Sequence, residues 1–151
     1  MNEIYEQLPS LAALYPLLAL LWQTGRVTSE RLDTALAGAG LSFPKLVALS
    51  QLLKAGEPVA LSQMATQMSC ARSNVTQLVD RLEAEGLAER VRDDVDRRSV
   101  LAVITPEGRR RYQASFSILA EVEQAMLGRL TPAERQQLTT LLARLCGDSQ
   151  E

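Results

Sequence analysis

The sequence contains no histidine, which removes histidine-based acid–base triads and nearly every zinc or haem site. Its two cysteines, Cys70 and Cys146, are too few for a disulfide framework and fit a reducing compartment. Lysine is almost missing: beside Lys45 and Lys54, the other 14 of the 16 basic residues are arginines. No basic residue precedes Arg26, so the positive opening of a signal peptide is lacking. The most apolar stretch, residues 11–22, is too short to span a membrane and is interrupted by Pro16. These absences point to a cytoplasmic chain with no membrane partner, no metal and no cofactor. Carboxylate, serine or lysine chemistry survives them. Yet no nucleotide-binding loop and no nucleophile placed beside a base is present, so an enzyme is not expected.

What is there suits one globular domain over residues 1–151, with 46% hydrophobic and 23% charged residues. The net charge of −2 argues against a nucleic-acid partner, but its distribution argues otherwise. Nine arginines fall between Arg72 and Arg111, among eight acidic residues. Arginine suits planar, bidentate contacts to phosphate or guanine; a surface laced with ion pairs is the alternative.

Leu14, Leu18, Leu21, Gly25, Thr28, Leu32 and Ala35 recur at three- and four-residue steps, the period of a helix face, with Pro16 near the start of the helix and a stop at Gly40. A second helix is expected over 43–54, ended by Gly56-Glu57-Pro58. A short helix over 61–68 follows, then a turn at Ser69-Cys70 and a longer helix over about 71–85. Its inward face is Val75, Leu78, Val79 and Leu82. Past Gly86 the pattern becomes two β-like runs, 87–92 and 99–104, around the charged loop 93–98, which makes a hairpin. Thr105-Pro106 then caps a long helix with Tyr112, Phe116, Leu119, Val122, Met126 and Leu130 on one face. A capping box at Thr131 and Glu134 opens the last helix, lined by Leu138, Leu141, Leu142 and Leu145. The class is mainly α with a small β-hairpin (α+β).

Two helices at a short turn followed by a hairpin is the order of a winged helix-turn-helix, whose second helix enters the major groove of DNA. Opposite Val75 that helix carries Ser73, Gln77, Asp80 and Ala84, with Asn74 and Arg81 beside them and Arg72 and Thr76 on the flanks. Asn and Gln can pair with adenine, and Arg with guanine or phosphate. A functionless surface helix more often carries Glu and Lys four residues apart. Asp80 either accepts from a cytosine or pairs internally with an arginine, and the second is preferred.

Residues 61–108 resemble the winged helix-turn-helix of the MarR family of bacterial transcriptional regulators. Two stretches carry the likeness: SNVTQLVDRLEAEGLAER over 73–90, and DRRSVLAVITPEG over 96–108. The resemblance implies a DNA-binding lobe over 41–105, with dimerisation helices over 9–40 and 106–147. It implies a homodimeric regulator, more often a repressor, acting on an inverted-repeat operator. Arg98 matches the wing-tip arginine that enters the minor groove, and Asp96 the carboxylate that orients it; Arg97 between them is expected at phosphate. A narrow minor groove concentrates negative potential, which suits an arginine there. The sequence departs from the family's pattern in two places. Ala71 stands where a capping hydroxyl is frequent, and Asp93 and Asp94 add negative charge to the wing tip.

Relatives take small aromatic effectors in clefts between the lobes and the dimerisation helices. Tyr15, Trp22, Phe43 and Tyr112 are the candidates here, with core packing as the alternative. Cys70 sits before a helix start that could activate a thiol for redox sensing. A structural role in the turn is preferred, and Cys146 is expected to be inert. A winged helix used only for protein contacts is the alternative from another class; it calls for an outward face that is apolar or acidic.

Overall fold

The computed structural model describes Ala13 and residues 15–92 and 100–147. Among the described residues, six helices and three strands follow in the order α1 (Pro16–Ala37), α2 (Phe43–Ala55), β1 (Val59–Ala60), α3 (Leu61–Gln67), α4 (Arg72–Ala84), β2 (Ala88–Arg92), β3 (Val100–Ile104), α5 (Pro106–Leu127) and α6 (Pro132–Cys146). The sheet is antiparallel with order β1-β3-β2. Its hairpin runs from Ala88 opposite Ile104 to Arg92 opposite Val100, and β1 adds Val59 opposite Ala102. The hairpin was legible in the sequence; the two-residue strand β1 was not, being too short for an alternating pattern. Among the described residues no helix is long and apolar enough to cross a membrane.

Among the described residues, every buried apolar side chain lies between Leu36 and Ile104. Leu46, Leu49 and Leu52 of α2 meet Leu61 and Met64 of α3, Val75, Val79 and Leu82 of α4, and Ala102 and Ile104 of β3 in one core. Val75, Val79 and Leu82 lie on the face that the three- and four-residue spacing predicts for α4, and Leu78 of that face is half-buried against the same core. The outer helices differ from expectation. On α1 the single buried residue is Leu36, outside the predicted series, while Leu18 and Leu21 are exposed; Leu14 lies outside the described residues. On α5 the buried positions are Gly108 and Ser115, and Phe116 is exposed, edge-on to Tyr112 with ring centroids 5.1 Å apart. Small residues let α5 come close to the lobe, and of its larger apolar residues Tyr112, Ile118 and Leu119 pack partly buried against the core while Phe116 stays open. The last helix, α6, buries no residue at all.

Two polar ties join the outer helices to the lobe, and a third lies within it. Asp33 of α1 accepts the Phe43 N–H at 2.8 Å, satisfying a donor at the start of α2. Lys45 of α2 donates to both Glu85 carboxylate oxygens, at 2.6 and 2.8 Å, beyond the end of α4. Thr105 caps α5 by accepting the Gly108 N–H at 3.0 Å and donates to Gly86 O at 2.7 Å.

Candidate nucleic-acid interface

The turn between α3 and α4 is built by backbone hydrogen bonds. The Ser69 N–H donates to Thr66 O and the Cys70 N–H to Ala65 O, each at 3.1 Å, with Ser69 at φ 49°. This is the double closure of a Schellman motif, set here on a serine instead of the usual glycine. Cys70 is half-buried and packs against the core, while Cys146 is exposed. The chain then enters α4 at Ala71, which is extended and supplies no side-chain cap. The N–H groups of the first turn therefore have no side-chain acceptor, and such groups attract anions.

The apolar side of α4 is sealed, with Val75, Val79 and Leu82 fully buried. The other side is open: Arg72, Ser73, Asn74, Gln77, Asp80 and Arg81 are all exposed, and Thr76 is half-buried. The Thr76 hydroxyl donates to Arg72 O at 2.9 Å, so its proton is spent on the helix itself. Neither Arg72 nor Arg81 has an ion-pair partner among the described residues. Asp80 does, lying 2.5 Å from Nη1 of Arg90 on β2. It pairs internally, as preferred from the sequence, and Arg90 is the partner that spacing alone did not reveal.

Beyond α4 the chain reverses at Gly86, whose φ of 69° favours glycine. The Leu87 N–H closes onto Leu82 O at 2.8 Å and starts the wing. The wing returns to Thr105-Pro106-Glu107-Gly108, and each part of that segment has a physical reason. Thr105 makes the double hydrogen bond described above, and Pro106 fills the first helical position. Gly108 is obligatory in this packing, because a Cβ there would stand 2.0 Å from Leu87 O. The Arg111 guanidinium, hydrogen-bonded to Glu107 at 3.0 Å, holds that carboxyl below its usual range, and the neighbouring Arg110 adds to the effect.

This geometry agrees with the known proteins that the chain resembles. Residues 41–100 match the MarR family. An HTH-type transcriptional regulator of Bacillus subtilis is 33% identical over 102 residues, 67% of this chain and 66% of that protein. The chain belongs to the MarR family. A MarR-type scaffold also explains the longer alignments. An HTH-type transcriptional repressor of Mycobacterium bovis is 25% identical over 133 residues, 88% of this chain and 95% of its own. A mutant MarR from E. coli, solved in complex with operator DNA, superposes with a TM-score of 0.81 at 20% identity over 91% of this chain and 99% of that one. The shared MarR fold is a winged helix-turn-helix flanked by outer helices.

Other residues singled out from the sequence are not part of α4. Asp93, Asp94, Asp96, Arg97 and Arg98 of the wing tip lie outside the described residues. Tyr15, Trp22 and Phe43 are exposed and Tyr112 is half-buried. None of these four lines the apolar groove of about 530 Å3 that opens between α1, α5 and α6, whose walls include Leu17, Leu21, Leu119, Met126, Leu138 and Leu142.

Proposed function

We propose that this chain is a homodimeric transcriptional repressor that binds a specific double-stranded DNA site. α4 lies in the major groove, and the wing over 87–104 follows the backbone into the adjacent minor groove. The observation that carries this reading is the outward side of α4: Ser73, Asn74, Gln77 and Arg81 stand exposed on a helix whose other side is locked in the core. Gln77 and Asn74 suit adenine, and Arg81 suits guanine. Arg72 and the uncapped helix start suit phosphate. At the wing tip, Arg98 enters the minor groove with Asp96 orienting it, and Arg97 meets phosphate. A protein-contact module calls for an apolar or acidic face here, and this one is polar and carries arginines.

The second copy follows from what one copy leaves uncovered. Leu17, Leu18, Leu20, Leu21 and Trp22 are exposed around the whole start of α1, as are Leu141, Leu142 and Leu145 on α6. A helix apolar all round is stable only when enclosed. The groove between α1, α5 and α6 is filled by the partner's apolar helices, which makes the dimer obligate. The repressor reading follows the M. bovis relative, and the DNA reading is supported by the fold shared with the E. coli protein solved with operator DNA.

Binding sites selected from random DNA test this reading. Gln77→Ala is expected to weaken the selected site by about 1–3 kcal/mol and random DNA hardly at all. Arg98→Ala is expected to weaken both and to lower the salt slope by about one unit. Equal losses on selected and random DNA for Gln77→Ala would remove that residue from base reading.

A further inference from the structure

Arg90 stands on β2, yet its side chain reaches across to α4. Nη1 lies 2.5 Å from Asp80 Oδ1 and 2.9 Å from Glu83 Oε2, and Nη2 donates to Thr76 O at 3.3 Å. Its backbone N–H also donates to Glu83 Oε1 at 3.2 Å. Positions 76, 80 and 83 form one stripe along α4 at helical spacing, next to the row of Ser73, Gln77 and Arg81. A planar guanidinium that meets three acceptors spread over two turns constrains both tilt and rotation of the helix, more firmly than a compact ammonium without a rigid fork.

The energetics point the same way. The Arg90 side chain is 26% exposed, and those of Asp80 and Glu83 are 54% and 41% exposed. Ion pairs this open add little to global stability. Two carboxylates on one guanidinium also leave no net positive charge to offer a phosphate. Arg72 and Arg81, by contrast, stand unpaired among the described residues.

We infer that Arg90 is a positioning residue, a clasp that fixes the angle between the recognition helix and the wing so that both meet DNA together. The inference rests on the DNA-binding reading above. It requires that Arg90 act through Asp80, Glu83 and Thr76, without touching DNA itself.

The test uses the full chain with Arg90→Gln, the double variant Asp80→Asn/Glu83→Gln, the triple combination and Arg90→Lys. In the free protein, hydrogen exchange of Arg90→Gln is expected to quicken in 76–84 and 88–92 and to stay unchanged in α5. On the selected DNA site, its affinity should fall about tenfold with the salt slope unaltered. The triple variant should bind no more weakly than the double one, and Arg90→Lys should recover only part of the loss. Unchanged exchange in the free protein would overturn the clasp. So would a salt slope lower by about one unit, or a full tenfold loss when Arg90→Gln is added to the double variant. A wild-type protein with no preferred DNA site would overturn the functional reading instead, and the exchange data alone would then decide whether Arg90 sets the helix–wing angle.

Discussion

Gly108 and Ser69 show how single positions fix the lobe. A methyl group at Gly108 would meet Leu87 O at 2.0 Å and Ile104 Cγ1 at 2.9 Å, with backbone on one side and core on the other. Neither can yield cheaply. Gly108→Ala is expected to cost about 3 kcal/mol in urea denaturation; a change within about 0.5 kcal/mol would mean that α5 does not sit this close to the wing. Ser69 presents the opposite case, a side chain held at φ 49° where glycine is at ease. Ser69→Gly is expected to stabilise the chain by about 1 kcal/mol in the same measurement, and a loss of stability would contradict the strain assigned to that turn.

At the scale of elements, the caps are the most testable. Thr131 and Glu134 form a reciprocal box at the start of α6. The Thr131 backbone N–H, at 2.8 Å from Glu134 Oε2, and then its hydroxyl hold the Glu134 carboxyl below the ordinary value of 4.5. A lowered folded-state value means stability that is present above the ordinary value and lost as pH falls through the lower one. Thermal melts of the wild type from pH 6 down to about pH 3 are therefore expected to include a loss that Glu134→Gln lacks. Parallel curves for the two proteins would show that the box adds nothing.

The same scale shows what the sequence could reveal. Regular spacing predicts α3 and α4 within a residue or so at each end, because each has one buried face against one core. The capping signals at Thr105 and Thr131 are local and equally readable. The outer helices were harder, since Leu18, Leu21 and Phe116 keep helical periodicity while remaining exposed within one chain. Periodicity reports an apolar face but not which surface covers it. The Arg90 clasp was invisible for a related reason: it joins a strand to a helix across a turn, and only folding brings residues 76, 80, 83 and 90 together. The outward row on α4 was readable because it is the complement of Val75, Val79 and Leu82.

For the whole molecule, the division is between a lobe that contains every described buried apolar side chain except Leu36 of α1 and outer helices that leave most of theirs open. Sedimentation is expected to find a dimer at micromolar concentration, and a well-folded monomer would show that the open leucines need no partner. Two-fold symmetry then sets the form of the DNA site. On the proposed function, two recognition helices on one side of the duplex must meet successive major grooves about 10–10.5 base pairs apart, so the site is expected to be an inverted repeat with A·T-rich flanks for the two Arg98 side chains. The most direct test of the central claim is the affinity for such a site before and after insertion of about five base pairs between its halves, half a helical turn. The dimer should lose its preference and bind the lengthened site no better than random DNA. Undiminished affinity would contradict the account, because it would mean that the two copies do not read DNA as one fixed, symmetric pair.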